Sequence, residues 1–389
     1  MRNGLIYGEK FVIIFLIETD YIMKCDFDYK SRHCKKVSIW MKKHITIYDI
    51  AKKANTSTAT VSRVLSNSDY PVKKDLREKI LKVAKELNYI PNMIGRQLKT
   101  NNSMTIGVII PSITNPFYAS LVLGIEDIAQ SRGYHVLLCN SHRNPELEKK
   151  YVKTLFEKQV KGVIVSSISS NQRLLGELIE KGLNLVAFDQ TVEGLNSSQI
   201  HFDYRKGGFM AVEYLINKGH RKIAFISSPL SRPSRRSTYH GYRDALDQHG
   251  VQIKEEWIQI AAREEEDSEK NYEFHNGIEM TKKLLEKQEL PTAIFCCNDM
   301  TAFGVMNELA TQGIRIPDQI SVMGFDNIEF AEMVTPPLTT IQQPDYEMGR
   351  MACNLLLDTL SRKVKENVNI MLQPKIVERK SVSIIEESL

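Results

Sequence analysis

The chain has 389 residues, of which 42% are hydrophobic and 25% charged, and a formal net charge of +5. This is the composition of a soluble globular protein of two or three domains. The charge is unevenly spread: residues 41–102 carry +8, residues 1–40 carry +2 and the remainder carries −5. That excludes a uniformly basic protein and concentrates positive charge in one short segment, as phosphate neutralisation requires.

The N-terminal extension, residues 1–43, differs in character from the rest of the chain. Its apolar run Phe11–Ile17 is too short to cross a bilayer, and acids come next at Glu18 and Asp20 with no small-residue cleavage site. The segment is expected to be disordered or weakly structured, an upstream read-through with Met41 as the natural start.

Residues 44–90 read as a helical DNA-binding domain. Thr46 is placed to N-cap a first helix, with Asp49 three residues on. Ile47, Ile50, Ala51 and Ala54 form its apolar face, and Asn55-Thr56 breaks it. Ser57 can cap a second helix running to Leu65. Val61, Val64 and Leu65 turn inward there, while Thr58, Ala59, Ser62 and Arg63 turn outward. Two short helices with a polar, partly basic outer face are the sequence form of a helix-turn-helix; a structural helical hairpin is the competing reading. A third helix over 74–88 buries Leu76, Ile80, Val83, Ala84 and Leu87.

Residues 91–103 read as a hinge helix and linker. Gly95 makes a helix over 92–99 marginal, so it forms only where a partner favours its ordering. On DNA, two such helices can meet in the minor groove and wedge Leu98 between base pairs. A flexible linker is the alternative.

After residue 104 strands and helices alternate. Strands are predicted at 105–110, 135–139, 162–165, 184–188, 199–202, 222–226, 293–297 and 320–324, with helices between them and a last one at 346–362. Short apolar strands buried on both faces and alternating with helices make a doubly wound α/β plan with parallel sheets. Its length suits two lobes with a cleft between them. Ligands in such sheets bind beyond the carboxyl ends of the strands. Those ends lead to Asn115, Phe117 and Tyr118, to Asp189, to Asn298-Asp299, and to Asp326-Asn327. Acids and amides suit the hydroxyls of a polyhydroxylated small molecule, and rings cover its C–H faces. A helix N-cap competes as the role of any one of these residues.

No nucleotide-binding, hydrolase or metalloprotease motif is present, and the six cysteines have no metal-ligand spacing, so neither enzyme chemistry nor a cofactor or metal is implied. Buried thiols of a cytosolic protein are the plainer reading of the cysteines.

The stretches Thr46-Ile-Tyr-Asp-Ile-Ala51, Thr60-Val-Ser-Arg-Val-Leu65, Leu87-Asn-Tyr-Ile-Pro-Asn92, Asn115-Pro-Phe117, Gly324-Phe-Asp-Asn327 and Pro336-Pro-Leu-Thr-Thr-Ile341 carry a family signature. In that combination the chain resembles the LacI/GalR family of bacterial transcription regulators over residues 44–382. The resemblance implies a small all-α helix-turn-helix domain on a two-lobed, periplasmic-binding-protein-like core at 104–385. The N-lobe would hold about 104–202 plus 343–365, and the C-lobe about 203–342 plus 366–385. It also implies a homodimer on palindromic operator DNA and an effector between the lobes that governs whether the hinge helices pair. The candidate DNA contacts are Thr46, Tyr48, Ser57, Thr58, Ala59, Thr60, Ser62, Arg63, Asn67, Tyr89, Asn92, Arg96, Leu98 and Lys99. The candidate effector contacts are Asn115, Phe117, Asp189, Arg236, Thr238, Asn298 and Asp326.

Several positions depart from the family pattern. Asn55 replaces the usual turn glycine, Gly95 a small helix former, and Lys73 a serine cap. Thr238 stands where the family often has an effector-binding arginine, three residues before Gly241; Arg232, Arg235 or Arg236 can substitute. No leucine heptads lie beyond residue 381, so a tetramer is not expected. The reading is a cytoplasmic repressor of carbohydrate-use genes, answering to a sugar, sugar acid or sugar phosphate. A transporter's solute-binding protein and a sugar-processing enzyme are the competing classes.

Overall fold

The computed structural model describes residues 5–7, 10–18, 21–28, 33–41, 45–66, 70–89, 104–168, 173–189, 192, 194–262, 271–364 and 366–385. The chain divides into two compact units, Met1–Asn101 and Asn102–Leu389.

The first unit opens with the segment expected to be disordered or weakly structured, where an antiparallel meander of β1 (Leu5–Tyr7), β2 (Lys10–Glu18), β3 (Tyr21–Asp28) and β4 (His33–Met41) is described. The run Phe11–Ile17, too short for a bilayer, has the length and β-branched, aromatic content of a strand. Glu18 pairs with Tyr21 and Lys10 with Asp28, so β3 runs back along the whole of β2.

Three helices come next: α1 (Ile47–Ala54), α2 (Thr58–Leu65) and α3 (Lys74–Glu86). A capping box starts α1, in which the Thr46 N–H and hydroxyl both donate to Asp49, at 2.8 and 2.7 Å. Asn55 ends it in the left-handed region at φ 56°, which asparagine tolerates in place of glycine. Ser57 caps α2 by accepting from the Thr60 N–H at 3.1 Å. Lys73 gives α3 no side-chain cap. Ile50, Ala51, Ala54, Val61, Val64, Ile80, Val83 and Ala84 form the shared core.

The second unit holds two six-stranded sheets. One contains β5 (Thr105–Ile110), β6 (His135–Asn140), β7 (Gly162–Val165), β8 (Asn184–Asp189), β9 (Ser198–Phe202) and β15 (Asn369–Leu372), in the order β15-β9-β8-β7-β5-β6 and parallel throughout. The other contains β10 (Ile223–Ser227), β11 (Ile258–Ile260), β12 (Ala293–Cys296), β13 (Ser321–Asp326), β14 (Thr339–Gln342) and β16 (Lys375–Val377), in the order β11-β10-β12-β13-β14-β16. Its helices include α7 (Tyr204–Asn217), α8 (Pro233–Gln248), α9 (Tyr272–Leu285), α10 (Asp299–Thr311) and the single turn α11 (Phe330–Met333). The first sheet is covered by α4 (Pro116–Ser131), α5 (Pro145–Glu157), α6 (Arg173–Glu180) and α12 (Asp345–Leu360).

Two expectations about this core need correcting. Residues 366–385 do not all belong to the C-lobe: β15 extends the N-lobe sheet beside β9, and only β16 lies in the other sheet. The second sheet is also not wholly parallel, since β16 runs antiparallel to β14. The division of the tail between lobes is made over one short connection. Only Gln373 and Pro374 separate β15 from β16, so the chain leaves the edge of one sheet and joins the edge of the other within two residues. The chain therefore passes between lobes three times: before α7, between β14 and α12, and between β15 and β16. Where α7 and α8 cross, Gly208 and Gly241 let backbones touch; an added Cβ would lie 2.3 Å from the Thr238 carbonyl oxygen and 2.0 Å from that of Arg205, respectively.

Candidate functional site: a DNA-reading helix and an inter-lobe cleft

On the helix-turn-helix, Tyr48 is 73% exposed and Ala59 is also exposed. Thr58, Ser62 and Arg63 are half-buried, and the Arg63 guanidinium lies 3.8 Å from the centre of the Tyr70 ring. Thr46, Ser57 and Thr60 use their hydroxyls in capping; the Ser57 and Thr60 hydroxyls are 2.9 Å apart. A hydroxyl has one donor and two acceptor sites, so capping leaves each with capacity for a further partner. Tyr89 is half-buried and packs against the three-helix core. Asn67, Asn92, Arg96, Leu98 and Lys99, with the hinge helix, lie outside the described residues.

The cleft is built from the carboxyl ends of β7, β8 and β13 and from the crossover segments. Asp189 is 2% exposed and accepts three hydrogen bonds from chain hydroxyls: from Tyr118 at 3.0 Å, from Ser166 at 2.9 Å, and from Tyr204. The Tyr204 hydroxyl also faces the Gln343 carbonyl oxygen at 3.1 Å, and the Gln343 amide donates to Asp326 at 2.6 Å. A polar chain thus runs from Asp189 in one lobe to Asp326 in the other, through Tyr204 on the first crossover and Gln343 on the second. At the start of α10, after β12, Asp299 accepts from the Thr340 hydroxyl at 2.6 Å and the Ile328 N–H at 2.9 Å.

These carboxyls are tuned by burial. Removal from water pushes Asp189 up, against the opposing pull of its three hydroxyl donors and of Arg232. Burial pushes Asp326 well above the usual carboxylate range, reinforced by Asp299, while the Gln343 hydrogen bond opposes it. Burial raises Asp299 to about 6 despite its hydrogen bonds. The backbone is unusual at the same places, with φ of 67° at Asp189, 125° at Asp326 and 60° at Asn327. Left-handed backbone in non-glycine residues concentrates where surrounding structure holds a site in place.

A second tie crosses the cleft. Arg143, after β6, pairs with Glu273 in the first turn of α9 at 2.7 Å, with the side chains 10% and 5% exposed. Arg235 reaches the other Glu273 oxygen at 3.8 Å.

Of the predicted effector residues, Asp189 and Asp326 are brought into one network. Phe117 is buried with its ring edge-on to Tyr118 at 5.0 Å. Asn115 and Asn298 both act as N-caps, accepting from Phe117 N–H at 3.0 Å and Thr301 N–H at 2.8 Å. Arg236 is a correction. It is exposed, and its guanidinium turns back to the Leu230 and Ser231 carbonyls. Thr238 is buried where α8 meets α7, its backbone against Gly208, rather than open to the cleft. The arginine that faces Asp189 and Tyr118 electrostatically is Arg232, 6% exposed at the start of α8. Helix α8 begins at Pro233, so Arg232 sits where β10 leads into the cleft while Arg236 falls one turn along on the outer face. Ser166 and Tyr204 were also missed, although each comes just after a strand end; Gln343 comes just after β14, a strand the sequence did not show, and Glu273 had no such signal.

The lacI family of bacterial regulatory proteins matches residues 46–92, and the periplasmic binding protein-like domain matches residues 212–382. The HTH-type transcriptional repressor PurR of Histophilus somni (strain 129Pt) is 36% identical over 341 residues, covering 87% of this chain and 99% of that protein. This chain belongs to the LacI family. It is a DNA-binding transcriptional repressor rather than an enzyme. The lac repressor dimer bound to operator and the anti-inducer ONPF superposes with a TM-score of 0.75 at 28% identity, over 88% of this chain and 100% of that one. A LacI family regulator from Enterococcus faecium with bound ribose gives a TM-score of 0.64 at 30% identity, over 72% and 100%. No described helix of this family member is long and apolar enough to cross a membrane.

Proposed function

We propose that this repressor binds palindromic operator DNA as a homodimer in the cytoplasm and is switched by a small carbohydrate effector between its lobes. The observation that carries the reading is the polar chain from Asp189 through Tyr204 and Gln343 to Asp326. It passes through two of the three inter-lobe crossovers, so an occupant that rearranges it also changes how the lobes meet. The ribose held by the Enterococcus faecium regulator supports a sugar. The rings of Phe117, Tyr118 and Tyr204 around Asp189, with Arg232 nearby, favour a second reading, a planar nucleobase-like effector. DNA contact falls to Thr58, Ala59 and Arg63, with the hinge Leu98 as wedge.

Thermal-shift screening of the full chain against pentoses, disaccharides, sugar phosphates and nucleobases tests the class, and stabilisation by nucleobases alone rejects the sugar. Gel shifts on duplexes with half-sites about one helical turn apart test the dimer. Asp326→Ala is expected to abolish the effector response while operator binding persists; loss of both indicates a folding role instead.

A further inference from the structure

We propose that Tyr70 is a positioning residue for operator binding, holding the Arg63 guanidinium in its DNA-facing geometry. This rests on the reading of α2 as the helix that meets DNA. Ala59 and Arg63 are four residues apart on α2 and so share a face, which places Arg63 one turn along from the exposed Ala59. The guanidinium carbon lies 3.8 Å from the Tyr70 ring centre, in van der Waals contact with a side chain that is itself 54% exposed. An exposed tyrosine that packs against no described core cluster gains little from burial there; what it does contact is the one basic side chain of α2. A guanidinium covered on one face keeps its N–H donors, which lie in its plane, open to a phosphate or a base edge. Cation–π contact also restricts a long side chain before DNA arrives, so less rotamer freedom is lost on binding.

The test uses the full chain and a duplex selected by it from random palindromes. Tyr70→Ala is expected to weaken binding about threefold, the size of an exposed cation–π contact. Tyr70→Phe keeps the ring and is expected to bind as the wild type does. The dependence of log K on log salt should be unchanged in Tyr70→Ala, since no charge is lost, but about one unit shallower in Arg63→Ala. In the Arg63→Ala background, Tyr70→Ala should cost nothing further. Full additivity of the two losses, or a Phe variant as weak as Ala, overturns the proposal by making Tyr70 a direct DNA contact. An Arg63→Ala chain that binds like the wild type overturns the assignment of Arg63 itself, an outcome distinct from failure of the Tyr70 contact alone.

Discussion

The helix-turn-helix and the inter-lobe cleft are both assembled from short polar side chains, but over very different stretches of chain. In the first, Thr46 meets Asp49 and Ser57 meets Thr60, each pair three residues apart. In the second, Tyr118 meets Asp189 across 71 residues and Tyr204 meets Gln343 across 139. A local contact needs only its own helix to form. The cleft network needs both sheets and the crossovers in place, and once buried it tolerates few missing partners. The DNA-reading surface should therefore respond to mutation piecemeal, and the cleft as a unit.

The largest effect expected from that contrast is at Asp189. Asp189→Ala leaves the buried hydroxyls of Tyr118, Ser166 and Tyr204 without their shared acceptor. The core should lose about 4 kcal/mol by denaturant unfolding, with α1 and α2 unaffected. A loss under about 1 kcal/mol would show that the network does not act as a unit.

A smaller effect is expected with pH. Asp299 has an ordinary value of 3.8 and is raised to about 6 by burial in the fold, so between these the folded chain binds the proton more tightly than the unfolded chain does. Its stabilising contribution is full below 3.8 and is lost as pH rises through about 6. Thermal melting of the wild type should thus fall relative to Asp299→Asn over that window. Parallel curves would refute the assignment.

The smallest effect is expected at the turn of the helix-turn-helix. Asn55→Ala places an alanine at φ 56° and should cost about 1 kcal/mol, while Asn55→Gly should be neutral. Hydrogen exchange should record the change in α1 and α2 alone; a change spreading to β8 or β13 amides would contradict the separation of local from long-range contacts.

Legibility divides along the same line. The helix limits, the caps at Thr46 and Ser57 and the left-handed Asn55 were readable because they are set within a few residues. Strands buried on both faces, such as β7, β10 and β13, were readable from apolar runs. Strands β14, β15 and β16 were not: β14 has a single apolar residue, Ile341, among polar ones, and β15 and β16 lack a buried apolar run. Spacing from Gly241 pointed to Thr238 and did not separate Arg232 from Arg236, because it ignores where α8 begins.

By itself, the sequence determined the helix-turn-helix, the alternation of strand and helix, and the acids that close β8 and β13, since local propensity and strand-end position settle these. Only the tertiary structure decided that Asp189 answers three chain hydroxyls, that Arg232 faces it, and that β15 and β16 divide between lobes. Those outcomes depend on which distant segments the crossovers bring together, and no local pattern encodes that.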